Sequence, residues 1–147
     1  MIKQEKRKRI FNAIESYVIL NDLFRQFKKN CKEFLAKENP FKIGIDDLND
    51  VIFKLTAFDS TIFATFSMVF SPSDTAHGRI SFERFIEEDD NEKIWVLYFD
   101  QHGNLRERLG QKTSFYNMTD SNCLDHIILN LLDNYLQLPC FQAHDHE

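Results

Sequence analysis

Apolar residues recur at intervals of three and four positions through the first third of the chain. The series consists of Ile10, Ala13, Tyr17, Leu20, Phe24, Phe27, Cys31 and Phe34. Because side chains three and four positions apart lie above one another on an α-helix, this spacing predicts an amphipathic helix over Lys3–Lys37. Neither Gly nor Pro interrupts the segment before Pro40. Such a helix would be about 50 Å long, so we expect it either to break or to project beyond a domain of this size.

The segment after Pro40 begins with a period-two pattern and continues with helical spacing. Phe41–Ile45 alternates with period two and is interpreted as a short strand or an extended link. Asp46 or Asp47 then suits the N-cap of a second helix that continues to about Leu55. The apolar positions behind this prediction are Leu48, Val51, Ile52 and Leu55.

The middle of the chain changes to alternation with period two, which is typical of half-buried β-strands. Four strands are predicted in a meander: Thr61–Phe70, Arg79–Ile86, Lys93–Asp100 and Leu105–Leu109. Ser71–Asp74 is a turn cluster, and Gly103 is expected to supply a positive φ in the turn before the fourth strand. In the second strand we expect Ile80, Phe82 and Ile86 to point inward, with a bulge at Phe85.

The remaining segments complete an α+β fold. Asp120 or Ser121 is expected to cap a final helix that ends near Leu138, before Pro139. Residues 110–119 are ambiguous, and Thr113, Phe115 and Tyr116 could form a further short strand. We therefore expect one α+β domain over residues 1–147, with frayed ends at 1–9 and 139–147. A long N-terminal helix, a short second helix and a C-terminal helix are expected to pack on one face of an antiparallel sheet of about four strands.

Charge divides the chain into two unlike parts. The net charge is −5. Residues 3–37 hold ten basic and four acidic side chains, whereas residues 38–147 hold eight basic and nineteen acidic ones. Asymmetry of this kind is typical of proteins that bind other macromolecules.

Two candidate binding surfaces follow from this division. An acidic hairpin loop, with Trp95 on the following strand and Asp100 nearby, is predicted to bind a basic protein; its proposed contact residues are Glu87, Glu88, Asp89, Asp90, Glu92 and Trp95. The basic helix is the alternative, as a nucleic-acid contact formed by Lys6, Arg7, Lys8, Arg9, Arg25, Lys28, Lys29 and Lys32. Self-association as a homodimer through the long helix would cover any apolar surface that overhangs the sheet.

Residues for catalysis and metal binding do not form a recognisable pattern. There is no Gly-rich phosphate loop, GxSxG, HExxH or paired CxxC motif. Cys123 and His126 are three positions apart on the last helix, but Cys123 lies on its apolar stripe, and Cys31 is also expected to be a buried hydrophobe. The terminal run of His144–Glu147 has metal-ligating side chains but is interpreted as a solvated tail. We expect no cofactor and no metal.

These observations favour a cytoplasmic protein-binding module that is not an enzyme, such as an immunity-type inhibitor or a small chaperone-like protein. A nucleic-acid-associated regulator that uses the basic helix is the alternative. No run of 18 apolar residues is present, and polar residues after the basic start exclude the apolar core of a signal peptide, so no membrane contact is expected.

Overall fold

The first helix is a single unbroken element. The computed structural model describes residues 2–111, 116–120 and 122–143, and α1 spans Ile2–Lys37. This confirms the predicted helix, which at 36 residues is about 54 Å long. Its buried apolar positions all lie in the second half of the helix, at Leu20, Phe24, Phe27, Cys31 and Leu35. No residue of 2–19 is buried, so the first half overhangs the core.

The sheet contains seven strands rather than the four that were predicted. They are β1 Gly44–Asn49, β2 Ile52–Ala57, β3 Ser60–Phe70, β4 Ala76–Glu87, β5 Asp90–Phe99, β6 Asn104–Arg106 and β7 Tyr116–Asn117. Each strand pairs antiparallel with its neighbour in the chain, so the order across the sheet is the order in the sequence. The predicted meander is therefore correct in kind but extends further in both directions.

The predicted second helix is wrong, because Asp46–Leu55 folds as the β1–β2 hairpin. The turn is made at Asp50 and Val51, and the side chain of Asn49 before it accepts a hydrogen bond from the Val51 N–H at 2.9 Å. Side chains such as Asn favour turns because they offer the backbone a local partner. The spacing of apolar residues here also fits a strand whose inner face is formed by Phe53, Leu55 and Ala57, all of which are buried against the core.

The strands predicted at Thr61–Phe70 and Lys93–Asp100 are confirmed as β3 and β5. Their inner faces alternate as expected, with Ile62, Ala64, Phe66, Leu97 and Phe99 buried. β6 was predicted at Leu105–Leu109 but spans only Asn104–Arg106. Gly103 has the positive φ expected of it, at 84°.

The C-terminal helix begins and ends slightly inside its predicted range. α2 spans Cys123–Leu136 and is followed by a 3-10 turn over Pro139–Phe141. The N-cap is Asn122 rather than Asp120, whose carboxylate accepts a hydrogen bond from the Asn122 N–H at 3.0 Å before the helix begins. Tyr116 belongs to the short β7, whereas Thr113, Phe115, Ser121 and the run of His144–Glu147 lie outside the described residues.

Both helices pack against the same side of the sheet and form one core. The buried apolar residues of α1, α2 and the inner face of β2–β5 belong to a single cluster. A small cavity of about 20 Å³ lies inside it, lined by apolar side chains and by Cys31. A void of this size and chemistry is too apolar to hold ordered water. The described core around this void is therefore solid apolar packing.

Candidate functional site

The tip of the β4–β5 hairpin extends past the neighbouring strand. The last residue pair between β3 and β4 joins Ile62 and Arg84, while β4 and β5 continue to pair as far as Glu87 and Asp90. Residues 85–91 therefore form a ribbon of two strands that makes no residue pair with β3. We call Phe85, Ile86 and the four carboxylates at 87–90 the hairpin tip.

The four consecutive carboxylates of the hairpin tip are exposed. Glu88 and Asp89 form the turn, and Asp89 adopts a left-handed conformation with φ 63°. Asp tolerates this conformation better than most residues because its short polar side chain can bond locally. Glu87, Glu88, Asp89 and Asp90 make no ion pair with any described residue. Their negative charge is therefore available to a partner.

Two apolar residues are exposed beside these carboxylates. Ile86 is the extra residue of a bulge, because Phe85 pairs with Asn91 and Glu87 with Asp90. The predicted bulge is confirmed, but the predicted inward position of Ile86 is wrong: the bulge and the projection of the ribbon leave 45% of Ile86 exposed. Phe85 is 42% exposed and meets the ring of Phe63 edge to face at 5.8 Å.

Glu92 and Trp95 do not belong to the hairpin tip, although the sequence placed them in the same binding surface. Glu92 lies on the inner side and forms an ion pair with Arg84 at 3.6 Å. Trp95 is half-buried, stacks on Phe82 with ring centroids 5.9 Å apart, and lies 3.4 Å from Glu107 through its indole N–H. The bulge at Ile94 and the inner orientation of both side chains separate them from the exposed carboxylates.

Asp100 is also remote from this acidic surface. It follows β5 at the end opposite to Asp90, about 33 Å away along the strand. Burial alone would raise the pKa of Asp100, but hydrogen bonds from the Asn104 N–H and the Arg106 guanidinium outweigh it and lower this pKa. The carboxylate therefore organises the β5–β6 turn.

Most of the basic side chains in the second half of α1 are held by the β1–β2 hairpin. Lys28 is buried, and its Nζ donates to Asp47 Oδ1 at 2.7 Å and to the Asn49 carbonyl at 3.0 Å. Lys32 also reaches Asp47, at 3.3 Å. The hydrogen bond from Lys28 is the main reason why the pKa of Asp47 is lowered. Because these ammonium groups are already compensated, they are poorly suited to bind phosphates.

The remaining basic residues of the predicted nucleic-acid surface are Arg25, Lys29 and a cluster near the start of α1. Arg25 lies 3.3 Å from Asp22 and 3.9 Å from Asp50, whereas Lys29 makes no ion pair with a described residue. The cluster is Lys6, Arg7, Lys8 and Arg9, all exposed on the overhanging half of α1 and without an ion pair to the described part of the chain. Of the eight predicted nucleic-acid contacts, the cluster and Lys29 are therefore the ones that make no ion pair with a described residue.

The two buried thiols, Cys31 and Cys123, are unsuited to nucleophilic chemistry at neutral pH. Burial is the main cause that raises the pKa of Cys123 to about 11, and burial also raises the pKa of Cys31. A thiol with a raised pKa carries little thiolate, which is the reactive form. His126 packs against Tyr116 with ring centroids 4.9 Å apart. Within the described ranges, no group of three or more metal-ligating side chains comes together.

Comparison with known proteins found no matching family model, no similar curated protein and no similar solved structure. Among the described residues, no helix has the length and apolar character needed to cross a membrane. Functional inference therefore depends on the surfaces of this chain alone.

Proposed function

We propose that this protein is a non-catalytic, cytoplasmic protein-binding module that binds a basic partner protein through the hairpin tip. The observation that carries the proposal is the pairing of exposed Phe85 and Ile86 with four exposed carboxylates. Protein interfaces commonly combine a few apolar anchors with a polar rim. An immunity-type inhibitor or a small chaperone-like protein would use such a surface.

The two kinds of side chain would serve different steps of binding. Carboxylates at Glu87–Asp90 would attract a basic partner over a distance set by the Debye length and so raise the association rate. Phe85 and Ile86 would then lose their exposed apolar surface on contact, which slows dissociation. We therefore expect salt to change mainly the association rate, and truncation of Phe85 to change mainly the dissociation rate.

Contact through side chains is favoured over addition of a strand to the sheet. β6 pairs only with Tyr98 and Phe99, so Asp90–Leu97 has no further strand beside it among the described residues. However, this edge carries charged Glu92 and Lys93 and a bulge at Ile94. Charges and bulges at a sheet edge discourage pairing with another chain.

The test is recovery of a binding partner from the native host, followed by measurement of its affinity for variants. We expect Phe85→Ala to weaken binding by at least about 2 kcal/mol, or about 30-fold. Neutralising all four carboxylates, with Glu87→Gln, Glu88→Gln, Asp89→Asn and Asp90→Asn, should slow association at low salt. Circular dichroism would check that each variant is folded.

A matched control is available in two other hairpin turns. Asp59 and Asp74 are exposed, and both share the left-handed backbone conformation of Asp89. The double variant Asp59→Asn and Asp74→Asn removes charge without touching the hairpin tip and should bind normally. Equal losses in the control and in the four-residue variant would refute the assignment of the surface, and so would full affinity in Phe85→Ala.

The second candidate function is a nucleic-acid-associated regulator, favoured by the exposed cluster of Lys6–Arg9. Binding through these residues would fall steeply with salt because counterions are released from the phosphates. Replacing all four by Gln should then abolish binding, whereas Lys28→Gln should affect stability instead. Absence of DNA and RNA binding at low salt would exclude this function.

A further inference from the structure

One flank of the overhanging half of α1 presents a continuous apolar stripe. Its members are Ile10, Phe11, Ile14, Tyr17 and Val18, each between 39% and 59% exposed. Their positions are symmetric about Ile14, at offsets of three and four residues on either side. At 3.6 residues per turn these offsets place all five side chains on one side of the helix. Only Tyr17 packs on another described ring, that of Phe66 at 5.6 Å.

The same flank is covered further along the helix. There, Asn21 Nδ2 donates to the Asp50 carbonyl at 3.1 Å, and Lys28 binds Asp47, so the β1–β2 hairpin occupies this side of α1. The covered part of the flank is polar and the open part is apolar. This is the reverse of what solvent exposure alone would favour.

The overhanging half of α1 has few tertiary contacts, and those given by Tyr17 with Phe66 and by Ser16 with Gln101 lie at its C-terminal end. None of residues 2–19 is buried. An isolated helix of this length is marginal in water, and β-branched and aromatic residues such as Ile10, Phe11 and Val18 lower its stability further. Packing of the stripe against another surface would supply the missing stabilisation.

We propose that the stripe is covered by the same stripe of a second copy of this chain, with the two α1 helices antiparallel about a two-fold axis at Ile14. A surface that meets its own copy across a two-fold axis must be complementary to itself. The symmetric spacing meets this requirement. Ile14 lies opposite Ile14 of the partner, Phe11 is level with the partner's Tyr17, and Ile10 is level with the partner's Val18.

Charge favours the antiparallel arrangement over the parallel one. Antiparallel pairing about Ile14 brings Lys6, the first residue of the basic cluster, level with Asp22 of the other copy, and Arg7 level with Asn21. The exposed carboxylate of Asp50 lies on the same side of α1, where it meets Arg25 at 3.9 Å. Parallel pairing would instead place the two basic clusters side by side, which is unfavourable. At each end of the apolar contact Lys6 would thus lie level with the carboxylate of Asp22, which also forms an ion pair with Arg25 at 3.3 Å.

The first test is the mass of the protein in solution, measured by light scattering after size exclusion. At about 100 μM we expect about 35 kDa, twice the mass of the 17.5 kDa chain, with a dissociation constant on the order of micromolar because a contact between two helices is small. Ile14→Asp should weaken association by at least about 100-fold. Ile19→Asp is the matched control, because Ile19 is exposed on the same helix but lies off the stripe.

Cross-linking then tests the orientation of the helices. In a Cys140→Ser background the two remaining thiols are buried. Oxidation of the Ile14→Cys variant should link two copies, whereas Ile10→Cys alone should not. A mixture of Ile10→Cys and Val18→Cys chains should form the mixed disulfide. Efficient linkage of Ile10→Cys to itself would indicate parallel helices and overturn the proposed geometry.

Several results would overturn the proposal as a whole. A monomer at about 100 μM would do so, as would equal effects of Ile14→Asp and Ile19→Asp on mass. A monomer that sediments with vesicles of phosphatidylcholine and phosphatidylserine would show that the stripe meets a lipid surface instead. Circular dichroism separates loss of association from loss of folding. The stripe ends beside Phe66 and Gln101, whereas the hairpin tip lies at the opposite end of β4 and β5, so variants of the tip should leave the mass unchanged.

Discussion

Gly78 supports a close contact at the centre of the sheet, and replacing it should damage the core. Gly78 pairs with Phe99 across β4 and β5, and both face inward. A Cβ added at Gly78 would lie 2.5 Å or less from three atoms of the Phe99 ring. Phe99 is fully buried and packs against Phe66 with ring centroids 6.1 Å apart, so the ring cannot turn outward to avoid the new methyl group.

Two effects of Gly78→Ala oppose each other, and their magnitudes decide whether the free energy of unfolding falls or rises. Carbon atoms pack at about 3.5–4.0 Å, so the ring or the strand must shift by more than about 1 Å. Overpacking of this kind costs about 1–3 kcal/mol, and the size of the overlap here places it near the top of that range. Replacing Gly by Ala within a strand regains about 0.5–1 kcal/mol of backbone entropy. We therefore expect a net loss of about 2 kcal/mol.

Urea unfolding followed by the fluorescence of Trp95, the one tryptophan in the chain, measures this change. In a thermal scan the same loss should lower Tm by about 4–8 °C. Gly110→Ala is the control, because nothing lies within 4 Å of a Cβ at that position. Phe99→Leu should relieve the overlap, so the double variant should be more stable than the sum of the two single changes predicts. A Gly78→Ala protein within about 0.5 kcal/mol of wild type would refute the pairing of Gly78 with Phe99.

Two further predictions concern ionisable groups. Lys28→Met keeps the buried stem but removes the ammonium group that binds Asp47, and should cost about 1–2 kcal/mol at pH 7 in urea unfolding. Because the pKa of Asp47 is lowered in the folded state, this stabilisation is present above its unfolded pKa of about 3.9 and is lost as pH falls through the folded pKa. A difference in stability between Lys28→Met and wild type that persists undiminished at pH 2 would contradict the pairing of Lys28 with Asp47. Among the thiols, Cys140 is exposed and should react with a disulfide reagent at pH 8 in the native protein, while Cys31 and Cys123 should react only on unfolding. Three equally fast thiols would show that the core is open.

Elements with long and regular patterns were predictable from the sequence. α1 follows from an uninterrupted run of apolar residues at helical spacing, and β3 and β5 follow from alternation over ten and eight residues, respectively. Local chemistry also identified the positive φ of Gly103 and the bulge beside Phe85. These features depend on neighbours in the chain, so the sequence alone contains most of the information that determines them.

The conformation of the β1–β2 hairpin could not be predicted from local sequence patterns. Leu48, Val51, Ile52 and Leu55 fit one helical face as well as they fit two short strands. The strand conformation prevails because β2 pairs with β3 and buries Phe53 and Leu55 in the common core. That stabilisation comes from residues distant in the chain, which a local pattern does not contain.

The acidic and basic surfaces were likewise predictable only in part from the sequence. Composition identified an acidic hairpin and a basic helix, and the acidic residues 87–90 are indeed exposed together. Only the tertiary structure assigned Lys28 and Lys32 to Asp47, and Glu92 to Arg84. Charge and periodicity are properties of the chain, whereas the partner of each charge, and the part of each apolar stripe that remains uncovered, depend on which elements fold against one another.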